Sequence, residues 1–182
     1  MKNVFGKTTV VVGLLLSGLF LRADGLSPAF QAKIDEQIKV ITAWAAEPVV
    51  VEAVKAHNAS LPAEQAALTQ EKWKALNVLD PQVREFTKNP PGLFLKSKKS
   101  EAVTEAFISD AAGCKVAFMA KPSNWCHKGK AKHDVPMTGK NWQGAVEVDE
   151  SSGVQQLQVS VPVLDAGKPI GSLVVGLNIL KL

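Results

Sequence analysis

The apolar positions of this chain change period about halfway along. Between residues 27 and 58 they recur every three or four residues: Ile34, Ile38, Ile41 and Ala45, flanked by Trp44, and then Val49, Val50, Val51 and Val54. That spacing predicts a long helix with one apolar stripe. Ser27-Pro28 supplies an N-cap and a first-turn proline, and Pro48 should kink or break the helix. A second helix is predicted from about Pro62 to Leu79, with Leu68, Trp73, Leu76 and Leu79 inward. Asp80-Pro81 opens a short third helix, and Asn89-Pro90-Pro91-Gly92 reads as the end of the helical half. From there the period shortens. Residues 102–109, 115–120 and 143–148 read as strands, with a turn at Asp110-Ala111-Ala112-Gly113. Residues 155–163 give the clearest strand, because Leu157, Val159, Val161 and Val163 alternate with Gln156, Gln158, Ser160 and Pro162. Asp165-Ala166-Gly167-Lys168 is a hairpin turn. The run from Ile170 to Leu180 is apolar on both faces, as in a strand that is central in a sheet or covered on both sides. Helices followed by strands on short loops predict an α+β fold with an antiparallel sheet.

Composition adds limits. Of the 182 residues, 46% are hydrophobic and 21% charged, as in ordinary globular proteins. Two cysteines exclude a disulfide-rich miniprotein and a four-cysteine zinc site. The sequence has no Gly-rich phosphate loop, HExxH, GxSxG or CxxC, so binding is favoured over catalysis. No catalytic residue, cofactor or metal is assigned.

The N-terminus has the layout of a secretory signal peptide. Lys2 and Lys7 precede an apolar run from Val10 to Phe20, and small residues at Ala23 and Gly25 suit a cut after either. The run is shorter than the roughly 20 residues a membrane-spanning helix needs. An uncleaved anchor is the alternative. The resulting organisation is a signal peptide at 1–25 and one domain at 26–182, periplasmic or secreted. Removal of Lys2, Lys7, Arg22 and Asp24 leaves 18 basic and 16 acidic residues. So small a surplus gives little attraction for a polyanion, and no nucleic-acid partner is expected.

Residues 121–142 follow neither period. They hold Lys121, Lys128, Lys130, Lys132 and Lys140 against one acid, Asp134, together with Trp125, Trp142, His127 and His133. So long a connection in a compact domain is usually functional or disordered, and tryptophans argue against disorder. Aromatic walls with Lys and His donors suit a small anion such as a carboxylate; the alternative is a solvated basic loop pinned by its tryptophans. Cys126-His127 lacks the second cysteine of a haem-attachment motif, and Cys126, His127 and His133 lack a fourth metal ligand. A Cys114–Cys126 disulfide fits an oxidising compartment; two unpaired thiols are the alternative. Asp149-Glu150 reads as a solvated turn, and His57 as a helix C-terminal cation.

Three segments resemble the Cache family, also called PDC domains, which are extracytoplasmic PAS-like sensors. The first is Ala106-Phe107-Ile108-Ser109-Asp110-Ala111-Ala112-Gly113, followed by Lys115-Val116-Ala117. The second is Trp142-Gln143-Gly144 entering a strand, followed by the strand from Gln155 to Pro162. The third runs from Val161-Pro162-Val163 through Asp165-Ala166-Gly167-Lys168-Pro169-Ile170-Gly171 to Leu177, similar to the family's closing hairpin. The resemblance implies a long N-terminal helix and helical half, followed by a central antiparallel sheet of about five strands. Helices would cover one face of that sheet. A ligand pocket would lie on the other face, under a lid formed by residues 121–142. It implies a small-metabolite sensor acting with a membrane receptor or kinase, with a homodimer through the N-terminal helix as one further arrangement. Tyrosines common in the amino-acid-binding pockets of the family are absent here, which turns the expectation from amino acids toward other small carboxylates. The candidate ligand-binding residues are Trp125, His127, Lys128, Lys130, His133, Trp142, Gln156 and Gln158. A ligand-free interaction module of the same fold and a haem or metal redox sensor are the competing readings.

Overall fold

The computed structural model describes residues 26–148 and 155–182. The export-signal segment 1–25 and the Asp149-Glu150 turn lie outside the described residues.

Helix α1 (Pro28–Ala45) starts where the Ser27 hydroxyl accepts the Phe30 N–H. Pro48 does break the long helix. It has no N–H to donate to the previous turn, so α2 (Pro48–Ala59) begins there as a separate element. Ile34, Ile41, Ala45, Val50 and Val54 point into one core. The helix expected from Pro62 to Leu79 is instead two short ones, α3 (Ala63–Ala66) and α4 (Gln70–Ala75), because the Thr69 side chain caps a new start by accepting the Lys72 N–H. Trp73 is buried as expected, whereas Leu79 is 73% exposed. After α5 (Pro81–Lys88), Asn89 does not close the helical half. Its side chain accepts the Gly92 N–H and opens α6 (Pro90–Ser97), with two prolines in the first turn where no donor is needed.

Among the described residues five strands follow: β1 (Val103–Asp110), β2 (Lys115–Phe118), β3 (Trp142–Val148), β4 (Gln155–Asp165) and β5 (Lys168–Asn178). They form one antiparallel sheet in the order β2-β1-β5-β4-β3. The fold is α+β, with β5 in the middle, as its apolar residues on both faces require. Ala166 and Gly167 take positive φ angles of 47° and 79°, the two-residue hairpin geometry that matches strand twist.

The alternation of β4 divides the two faces. Leu157, Val159, Val161 and Val163, with Ile108, Leu173, Val175 and Leu177, pack under α1 and α2. On the opposite face Phe107, Phe118 and Val174 join Trp73, Val83, Phe86 and Trp125 in a second core. That face is therefore shared: α4 and α5 cover its β2 end, and residues 119–141 cover the rest. This covering segment contains one helical turn, α7 (Ala131–Asp134), and a 3-10 turn at Pro136–Thr138, so it is more ordered than its sequence pattern suggests. The expected layering is present: α1 and α2 cover one face of the central sheet, and residues 119–141 lie over the other.

Candidate functional site

The lid-facing side of the sheet is polar beyond the aromatic cluster. Ser109, Ser160 and Ser172 are buried there. A bulge at Val103/Glu105 breaks the register of β1. The Thr104 hydroxyl donates to Gln156 Oε1 at 2.9 Å, and Gln158 Nε2 donates to Glu105 Oε2 at 2.9 Å. Lys132, at the second position of α7, donates to Gln158 Oε1 at 2.5 Å. Lid and sheet are thus joined by the chain Lys132–Gln158–Glu105. Burial holds the Lys132 ammonium below its ordinary pKa, opposed by Glu105 and Glu147.

Beside this chain lies a cavity of about 220 Å³, lined by Lys130, Lys132, Trp142, Glu147, Gln156 and Gln158 together with Ala131, Gly144 and Ala145. Of the candidate residues, the structure brings Lys130, Trp142, Gln156 and Gln158 together at this one cavity. Lys128 is exposed and outside it. Trp125 packs instead into the second core, 5.3 Å from Trp73 and 5.6 Å from Phe86 between ring centroids. An indole gains most from full burial, and the aromatic cluster provides it. The lid is anchored further where Trp73 Nε1 donates to the Pro122 carbonyl at 2.8 Å.

His127 and His133 belong to the lid and turn their rings down onto the sheet rather than into the cavity. The His127 ring stacks on Phe107, with centroids 4.9 Å apart and planes 11° off parallel. Its Nδ1 faces Lys115 Nζ, which also donates to Ser109 Oγ at 3.2 Å and sits 4.6 Å from the Phe107 centroid. Lys115 is fully buried. Burial pushes its pKa down to about 7. Burial, reinforced by the Lys115 charge, pushes His127 down to about 3, so its neutral ring can accept a hydrogen bond from Lys115 Nζ. His133 Nδ1 lies 2.9 Å from Ser172 Oγ, and burial lowers its pKa as well. Sequence reasoning passed over Lys115. The signal was one lysine opening an otherwise apolar strand, Lys-Val-Ala-Phe. It also passed over Lys132 and Glu147 as cavity residues, because only the folded lid brings them to the sheet. Among the described residues no cluster of three or more His, Cys, Asp or Glu side chains suits a metal ion.

No protein-family model matches the sequence, and no curated protein matches it. Solved structures do. The chain is similar to the ligand-binding domain of the Pseudomonas aeruginosa amino-acid chemoreceptor PctC, in complex with GABA. Identity is 14% over 84% of this chain and 56% of that one, with a TM-score of 0.47. It is similar to the sensor domain of the V. cholerae histidine kinase DctB, at 14% identity over 83% of this chain and 58% of that one, with a TM-score of 0.43. It is also similar to the ligand-binding domain of the Campylobacter jejuni chemoreceptor Tlp3 in complex with 4-methylisoleucine, at 13% identity over 82% of this chain and 54% of that one, TM-score 0.44. The chain spans a little over half the length of these solved structures. The likeness is one of fold.

Proposed function

We propose that residues 26–182 form a single extracytoplasmic sensor unit of the Cache type. It binds a small carboxylate-bearing solute in the cavity between the lid, β3 and β4, and passes the bound state to a membrane receptor or kinase. The observation that carries this reading is the cavity's lining. Two lysines, a tryptophan wall and two amide side chains converge on a space below the roughly 300–1,000 Å³ of drug-sized sites, a size that suits a short organic acid. Lys130 and Lys132 supply the cationic end for a carboxylate. Glu147 at the same cavity favours a solute whose other end is neutral or cationic over a dianion. The role is binding, not catalysis.

A thermal-shift screen of short mono- and dicarboxylates and amino acids tests it. A ligand at 100 times its dissociation constant adds about 2.7 kcal/mol, roughly 5–10 °C in Tm for a domain of this size. A panel giving no shift favours an interaction module that uses the same fold without a ligand.

A further inference from the structure

Cys114 and Cys126 face each other as an isolated antiparallel bridge, with their sulfurs 3.4 Å apart. Cys114 follows the turn after β1, where Asp110 Oδ1 accepts its N–H at 2.8 Å. Cys126 sits at the root of the lid, where the next residue, His127, donates its N–H to the Gly113 carbonyl at 2.9 Å. Gly113 has φ +83°, and a Cβ there would lie 2.5 Å from Lys128 N and 3.2 Å from the His133 ring. The absence of a side chain at this position is what lets the lid root approach the turn. Both cysteines are half-buried.

We infer that Cys114 and Cys126 are a thiol–disulfide exchange site whose oxidation clasps the root of the lid to the turn after β1. The oxidant is a protein or small-molecule disulfide. Cys126 thiolate attacks one sulfur of that disulfide, and the other leaves as a thiolate. Cys114, losing its proton, then attacks Cys126 Sγ and displaces the second oxidant sulfur. One S–S bond is made and one broken. The two thiol protons end on the two reduced oxidant sulfurs, and the two electrons pass to the oxidant. Cys126 is the attacking sulfur because it is the more acidic. The Cys114 S–H bonded to it, the Lys128 backbone N–H and the Lys115 charge bring it down to about 6, while that same bond and burial push Cys114 up.

The test uses the whole chain equilibrated with oxidised glutathione, then alkylated and mapped by mass spectrometry. The expected product is two hydrogens lighter, carries a Cys114–Cys126 cross-link, melts roughly 5–10 °C higher and exchanges amide hydrogens more slowly across residues 119–141. Dithiothreitol should reverse all of this. Two alkylated thiols, or persistent glutathione adducts on both, would overturn the exchange site. A cross-link without slower exchange in 119–141 would overturn the clasp. In the reduced wild-type chain, limiting iodoacetamide should label Cys126 before Cys114; the reverse order would overturn Cys126 as the attacking sulfur.

Discussion

Asp110 Oδ2 lies 2.9 Å from His57 Nδ1, linking the end of β1 to α2. The other ring nitrogen, Nε2, is 2.8 Å from Gln65 Oε1 in α3. One carboxylate therefore serves two elements, because its Oδ1 also accepts the Cys114 N–H that shapes the turn. Asp110→Ala should cost about 2–4 kcal/mol in urea unfolding, since it strips partners from buried groups on both sides. Asp110→Asn retains the acceptor for Cys114 and should cost less. Equal losses in the two variants would mean that the turn bond contributes nothing.

The two sides of the lid should respond differently to charge. Lys132→Gln removes the amine that bridges lid and sheet beside the cavity and should abolish any carboxylate-induced melting shift. Lys128→Glu, at an exposed position outside the cavity, should leave both the shift and the unliganded Tm nearly unchanged. A shift that survives Lys132→Gln places the ligand elsewhere.

Acid should loosen the protein before its carboxylates titrate. His127 binds a proton near pH 6.5 when unfolded but only near 3 when folded, so the unfolded chain takes up the proton first. The His127 contribution is full above about pH 6.5 and falls as pH drops toward 3, by at most about 1.4 kcal/mol per pH unit. Lys115, near 7 folded and 10.5 unfolded, adds a further rise between those values. Tm should therefore climb from pH 5 to about 9, and His127→Gln should make the acid limb shallower, leaving the part due to His133, without changing the alkaline limb. A wild-type Tm that is constant between pH 6.5 and 5 would contradict the buried, neutral imidazole.

Gly171 in β5 is a tight point of the sheet. A Cβ there would stand 2.3 Å from the Ser109 carbonyl oxygen and 2.8 Å from Val54. Gly171→Ala forces backbone apart rather than turning a side chain. It should destabilise by about 1–3 kcal/mol in chemical denaturation, although alanine ordinarily suits a strand better than glycine.

The strands were legible because each carries its instructions locally. The alternation in β4, the Ala166-Gly167 turn and the doubly apolar β5 need no distant partner to be read. The helical half was less so. Thr69 and Asn89 both act as N-caps, yet one lay inside an apolar pattern and the other beside two prolines that read as a stop. Four of the nine residues that line the cavity, Lys130, Trp142, Gln156 and Gln158, stood out in the sequence by type and position. Trp125 shows the limit. A tryptophan among lysines fits a pocket wall or an anchor equally well, and only Trp73, Phe86 and Phe118, each distant in sequence, draw it into the core.

The strand order has a consequence for how the protein comes into being. β5, the last of the described strands, hydrogen-bonds both β1 and β4, so the two halves of the sheet have no connection until residues 168–178 exist. A nascent chain lacking them holds two unjoined ribbons, β1–β2 and β3–β4, each presenting an open edge. Pairing β1 with β5 spans about seventy residues of sequence, a long-range closure that slows folding. The sheet thus closes only once residues 168–178 are made: a chain cut before them loses the keystone of the sheet rather than its margin, and such shortened chains should accumulate as aggregates rather than as smaller folded domains.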